Sequence, residues 1–191
     1  HYLGLPQLLF YLGSLKPERK LTIVGPGGDL EKVVDLALSF LQAERFTGVA
    51  PELELVPLKP GDRLETETFS LDTTLAIHPV PALSYRFRDH ESGTIFAFTG
   101  DTGYNPELVE FCRGCALLIH EASYAGKPAP ADDRWGHSGA YDAAVIASSA
   151  EVPHLVLLHC DPAKQREAVE AAKALHPNVT YPEEGQRFEL Q

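Results

Sequence analysis

The sequence predicts an α/β fold in which buried strands lead into helices and the two stack in layers. Three patterns carry this expectation. Apolar residues recur at helical spacing from Leu30 to Leu41, and a region between Glu52 and Phe98 breaks into short alternating or apolar runs. Beyond it, apolar tetrads such as "ALLI" and "LVLL" each precede a helical stretch. Strands leading into helices at regular intervals indicate a layered α/β domain. At 191 residues and 44% hydrophobic, the chain can bury a substantial core in one domain.

The elements follow in order. "LGLPQLLFYLGSL" is apolar almost throughout and ends in Gly13 and Ser14, which predicts a short buried helix. "KLTIVGP" predicts a buried strand from Leu21 to Val24, stopped by Gly25 and Pro26. Leu30, Val33, Val34, Ala37, Leu38 and Leu41 then fall on one helical face, with Asp29 at the N-cap. "ELELVPL", "FSLDTTLAIHPV", "SYRFRD" and "TIFAFTG", separated by turn residues, predict an antiparallel meander. After it come a helix from Pro106 to Arg113, the strand "CALLIHEA" and a Pro/Gly/Asp-rich loop from Gly126 to Gly136. The helix "GAYDAAVIASSA", the strand "HLVLLHCD" and the helix "AKQREAVEAAKAL" come next, with short strands near Val179 and Phe188 at the end.

Charge narrows the function classes. Lys and Arg total 16 against 27 Asp and Glu, a formal charge of -11, which disfavours a large nucleic-acid footprint because phosphate binding needs clustered cations. No apolar run approaches the roughly 20 residues of a membrane span, and no signal segment opens the chain. A cytoplasmic location is therefore expected, with no membrane partner. Cys112 and Cys115 form a C-x-x-C that invites a redox or half-zinc reading, but no second pair accompanies it. "GPGGD" lacks both the spacing and the Lys-Ser/Thr ending of a phosphate loop and reads as a plain turn. The chain has no Met and starts at His1, so it is read as lacking its own translation start.

Polar residues stand at four places where buried strands end: His78 after "TTLAI", Asp101 after "IFAF", His120 with Glu121 after "ALLI", and His159 after "LVLL". Strand ends present side chains to a cleft while the sheet fixes their positions. Imidazoles and carboxylates are ligands for zinc and similar divalent ions, and a carboxylate can bridge two of them. Two ions about 3.5 to 4 Å apart can hold a shared hydroxide for a displacement at phosphorus or carbon.

"TGDTGYNPELVEFCRGCALLIHEASY" together with the later "GHSGAYDAAVIASSAEVPHLVLLHCDP" resembles the metallo-β-lactamase-fold hydrolases, in particular their ribonuclease Z-like branch. The opening "HYLGLPQLL" resembles the end of that family's His-x-His-x-Asp-His signature and the helix after it, with His1 as the last histidine. The resemblance implies a four-layer αββα fold, one hydrolase domain over 1–191 that lacks its N-terminal strands here, and an upstream segment supplying the remaining ligands. It implies two divalent ions, zinc first and manganese as the alternative, held by His1, His78, Asp101 and His159, with Asp101 as the bridge. It makes His137 the residue that meets the scissile phosphate or protonates the leaving oxygen, with Glu121 as its orienting carboxylate. Ser123 and Gly139 each stand where the family pattern has Thr.

Ribonuclease Z carries a long tRNA-gripping arm between the positions matching His78 and Asp101, whereas here 22 residues separate them and two strands with a turn use them up. The expected substrate is therefore a small phosphodiester, a cyclic nucleotide or cyclic phosphate among the candidates, and tRNA is not expected. A ribonuclease Z-type endonuclease, an ester, lactone or thioester hydrolase, and a metal-free binding module are the alternatives. A homodimer is left open.

Overall fold

In the computed structural model, which describes residues 2–15, 20–46 and 48–190, the chain divides into two units, His1–Leu58 and Lys59–Gln191. The first contains α1 (Gly4–Leu15), β1 (Lys20–Pro26), α2 (Leu30–Phe40) and β2 (Glu52–Leu58). Strands β1 and β2 pair in parallel, from Lys20 opposite Glu52 to Pro26 opposite Leu58. "ELELVPL" is thus not the first strand of the expected meander. Helix α2 lies between the two strands in the chain and provides the crossover that parallel pairing requires.

Helix α1 forms where its sequence predicts, but it is not the buried helix expected. Only Leu9 and Gly13 of α1 are buried, while Leu8, Phe10, Tyr11 and Leu15 are exposed. Gly13 is fixed by contact, since a Cβ there would come within 2.6 Å of the Val49 carbonyl oxygen. Asp29 occupies the N-cap of α2 without a capping side-chain hydrogen bond. "GPGGD" is the turn expected, with the Asp29 amide donating to the Pro26 carbonyl at 3.2 Å.

The second unit is built on a seven-stranded sheet in simple sequential order. Strands β3 (Arg63–Glu65), β4 (Phe69–Leu75), β5 (Leu83–Asp89) and β6 (Ile95–Phe98) form the antiparallel meander. Strand β6 then pairs in parallel with β7 (Leu117–Glu121), β7 with β8 (Leu155–Leu158), and β8 with β9 (Val179–Thr180). The crossovers are α3 (Glu107–Phe111), α4 (Ala140–Ser149) and, after a 3-10 turn at Pro162–Lys164, α5 (Gln165–Lys173). The strand expected near Phe188 does not form. Instead the Phe188 ring packs edge-on against His154 at 5.4 Å, after a turn in which Gln186 N–H donates to the Glu183 carbonyl.

The main core joins β6 to β9 with the crossover helices, and Leu108, Leu118, Ile146, Leu155 and Leu157 are fully buried in it. Helix α4 contributes Ala140, Ala143, Ala144 and Ala147, all with no exposed surface, and small side chains let a helix lie close to a sheet. Because β4 and β6 are each antiparallel to β5, they run the same way as β7 and β8. The carboxyl ends of β4, β6, β7 and β8 therefore share one sheet edge, the usual place for a binding crevice in an open α/β sheet.

Candidate metal centre

Asp101, Glu121, His137 and His159 each place one ligand atom at this edge, and those atoms all lie within 4.8 Å of one another. Each comes from a different segment: the turn after β6, the last residue of β7, the loop before α4 and the residue after β8. His159 Nδ1 and Asp101 Oδ1 are 2.8 Å apart, less than two metal–ligand bonds of about 2 Å laid end to end, so both atoms can reach one ion. His159 has φ of 52°, a left-handed conformation uncommon outside glycine that is retained where the surroundings enforce it. The donor set of carboxylates and imidazoles suits zinc and related divalent ions.

Glu121 is 2% exposed and its carboxylate is fully engaged. Oε1 accepts from the Thr102 amide at 2.7 Å and lies 2.8 Å from His137 Nδ1, while Oε2 accepts from the Ser123 amide at 3.2 Å. A carboxylate only accepts, so the His137 proton sits on Nδ1 and its Nε2 is the atom left to act. His78 lies beside the cluster rather than within it. Its ring centroid is 5.1 Å from that of His137, and its Nδ1 is 2.9 Å from the Gly136 carbonyl oxygen. That bond puts the proton on Nδ1 and the lone pair on Nε2, the usual arrangement of a metal-binding histidine. His1 lies outside the described residues.

The beta-lactamase superfamily domain model matches residues 1–160. The chain belongs to the beta-lactamase superfamily. Ribonuclease Z of Thermoplasma volcanium is 26% identical over 207 residues, covering 85% of the chain and 66% of that relative. Ribonuclease Z of Shouchella clausii is 26% identical over 243 residues, covering 100% of the chain and 76% of that relative. Among solved structures, human tRNase Z, short form, superposes with a TM-score of 0.71 at 20% identity, covering 100% of the chain and 75% of its own. The metallo-beta-lactamase fold protein YhfI from Bacillus subtilis gives 0.71 at 21% identity over 94% of the chain and 68% of its own. A diphosphatase from the PhnP family gives 0.67 at 18% identity over 98% and 67%. The metallo-β-lactamase fold and the ribonuclease Z-like resemblance are both borne out. The chain spans about two thirds of the length of the Thermoplasma relative.

Several residues that support the superfamily site were given no role by the sequence. Thr102, fully buried, accepts from the Ile77 amide through Oγ1 at 2.9 Å, and its carbonyl accepts from Ser138 Oγ at 2.7 Å. With its amide on Glu121, this residue joins the segments that carry His78, Asp101, Glu121 and His137. Gly136, at φ of 65°, is equally constrained, since a Cβ there would lie 2.5 Å from the Ile77 carbonyl oxygen and 2.7 Å from His78 Cα. Gly139 can be nothing larger, because its Cβ would fall 1.7 Å from the Lys127 carbonyl oxygen. Ser123 Oγ lies 3.3 Å from His137 Nδ1 and 3.4 Å from His159 Nδ1, so the shorter hydroxyl side chain still reaches both rings.

Other candidates fall away from the cluster. His120, next to Glu121, points to the opposite face of β7 because strand side chains alternate. It is fully buried on the side of Leu118, and burial holds its imidazole below the ordinary value. Cys112 and Cys115 are buried in the core, and burial pushes the Cys112 thiol up to about 12, the opposite of a reactive thiolate. Trp135 is 72% exposed. A cavity of about 320 Å³ next to His137 is lined by Ile77, Gly103, Tyr104, Pro130 and Asp133 among others.

Proposed function

We propose that this protein is a metal-dependent hydrolase that cleaves a small phosphodiester, a cyclic nucleotide or cyclic phosphate being the favoured class. The observation that carries the reading is the convergence of Asp101, Glu121, His137 and His159 within 4.8 Å at one sheet edge. Asp101 and His159 would hold one divalent ion, with His1 as a further ligand, and Asp101 would be shared with a second ion that His78 helps hold. Bound ions of this kind supply Lewis acidity and lower the pKa of a coordinated water. Zinc is the favoured metal and manganese the alternative, and the whole of 1–191 is taken as one hydrolase domain in the cytoplasm.

The chain's own residues divide the remaining work. Glu121 holds the Nδ1 proton of His137, so once Nε2 has taken up a second proton from solvent the imidazolium can give that proton to the departing oxygen and return to its Nδ1–H form. The adjoining cavity of about 320 Å³ is at the small end of ligand pockets, which favours a compact substrate. Strands β5 and β6 and the turn at 90–94 occupy the interval between His78 and Asp101, leaving no length for an RNA-gripping arm, and the charge of -11 points the same way.

A second reading is tRNA 3' endonuclease activity, favoured by the relatives named Ribonuclease Z. Hydrolysis of an ester, lactone or thioester would use the same residues. Metal analysis of the full chain, followed by turnover of bis(p-nitrophenyl) phosphate and of a precursor tRNA, separates these readings. About two metal equivalents with diester turnover abolished in Asp101→Ala supports the proposal. Absence of metal points to a binding module, and cleavage of the precursor tRNA alone favours the endonuclease.

A further inference from the structure

The loop before α4 carries His137, and one carboxylate grips its backbone. Asp133 Oδ2 accepts from the His137 amide at 3.0 Å, and Oδ1 accepts from the Trp135 amide at 3.1 Å. Oδ1 also accepts from the Tyr124 hydroxyl in a short hydrogen bond. Tyr124 stands three residues after the end of β7, and its own amide donates to the Ser138 carbonyl at 3.1 Å. The backbone on both sides of His137 is thus tied to the segment just beyond the Glu121 strand.

We propose that Asp133, braced by Tyr124, is the positioning residue of His137. It sets the backbone from which the imidazole reaches Glu121 at 2.8 Å, beside the cavity that Asp133, Gly136 and His137 help line. Glu121 orients the ring, and Asp133 orients the chain that bears the ring. The two carboxylates act on opposite ends of one residue, and neither can replace the other. The charge state suits this grip. Burial raises the Asp133 carboxyl, but the Tyr124 hydroxyl and the amides of His137, Trp135 and Gly136 outweigh it and hold the group below its ordinary value. Tyr124 is pushed up to about 12, first by that hydrogen bond, so at neutral pH the pair stays as donor hydroxyl and accepting carboxylate.

This inference rests on the hydrolase reading for its kinetic consequence but not for its structural one. The test uses the full metal-loaded chain with bis(p-nitrophenyl) phosphate as probe and the variants Asp133→Ala, Asp133→Asn and Tyr124→Phe. Asp133→Ala should lower kcat about a hundredfold, the cost of a misplacement near 1 Å, with KM changed less than about twofold and metal content unchanged. Asp133→Asn, which keeps one acceptor for the His137 amide and turns its NH2 to the tyrosine oxygen while giving up the Trp135 amide, should recover to within about tenfold of the parent. Tyr124→Phe should cost about tenfold in kcat, and it keeps the idea testable if Asp133→Ala does not fold. A kcat within about twofold of the parent in Asp133→Ala or Tyr124→Phe overturns the assignment, as does an Asn variant no better than Ala with metal lost from both.

Amide hydrogen exchange at Trp135 and His137 provides the second readout. Exchange at least about tenfold faster in Asp133→Ala supports the grip, and unchanged exchange overturns it. If the parent turns over no diester, the hydrolase reading fails while exchange still decides the role of Asp133.

Discussion

His137 Nδ1 lies 2.8 Å from Glu121 Oε1, and the carboxylate that holds it is itself held by the amides of Thr102 and Ser123. A carboxylate with its remaining acceptor sites occupied by backbone cannot turn away, so the imidazole keeps one tautomer and one orientation. Glu121→Gln exchanges this fixed acceptor for an amide that can present N–H instead and select the wrong tautomer. We expect kcat on bis(p-nitrophenyl) phosphate to fall by at least about a hundredfold, with KM little changed. Steady-state kinetics on metal-saturated protein check this, and wild-type kcat in the variant would remove Glu121 from the mechanism.

Gly139 offers a stability test. A methyl group there would lie 1.7 Å from the Lys127 carbonyl oxygen, and both groups are backbone-fixed, so relief requires moving the loop or the start of α4. Gly139→Ala should cost about 3 kcal/mol or more in urea denaturation. Gly93→Ala is the control, at φ of 72° with nothing near its Cβ, where only the left-handed backbone is penalised, by about 1 kcal/mol. Equal losses in the two would contradict the packing argument. The same contact explains why this chain departs from the family's Thr at the position, since a threonine cannot coexist with this path of residues 125–127.

The strand-end residues were legible because burial and polarity change abruptly there. "IFAF" before Asp101, "ALLI" before His120 and Glu121, and "LVLL" before His159 announce the strands and the polar residues at their ends, though only the alternation of side chains along β7 separates Glu121 from His120. The family motifs added the pairing of Glu121 with His137. The meander partners β4, β5 and β6 were legible, but a distant partner was not: "ELELVPL" carries the alternation of a meander strand, yet it pairs with β1, some 30 residues earlier, because such partners are set by tertiary contacts that local pattern does not encode. Burial of α1 failed for a related reason, since apolar composition specifies a helix that could be covered, not one that is. Thr102 and Asp133 were missed because their roles run through backbone amides, and any short polar residue in a loop looks the same in sequence.

Acid should weaken the fold before the carboxylates titrate. Burial, first among the causes, holds His120, His154 and His176 below the ordinary 6.5. Between 6.5 and the lower folded values the unfolded chain binds protons that the folded chain refuses. The stabilisation is therefore complete above about pH 6.5 and is lost as pH falls below it, with a limiting slope of about 1.4 kcal/mol per pH unit for each such histidine. Urea midpoints should drop between pH 7.5 and 5.5, and the drop should be smaller in His120→Asn, which keeps a donor for the neighbouring Glu121 carbonyl contacted by Nδ1 at 2.9 Å. Midpoints independent of pH over that range would contradict the assignment of neutral buried imidazoles.

Thr102 tests whether the cluster is assembled by its turn. Its hydroxyl accepts from the Ile77 amide at 2.9 Å and donates to the Gly103 carbonyl at 2.9 Å, while the Gly103 amide returns to the Ile77 carbonyl at 2.8 Å. Thr102→Val keeps the shape and removes the hydroxyl, leaving the part-buried Ile77 amide next to the His78 segment without its acceptor. The cost should be about 1 to 3 kcal/mol, and Thr102→Ser, which keeps the oxygen, should recover most of it. If the hydroxyl also aligns the His78 segment with the Asp101 turn, Val should weaken metal retention against a chelator while Ser does not. Equal behaviour of Val and Ser would mean that volume at 102, and not the oxygen, holds the two strand ends together.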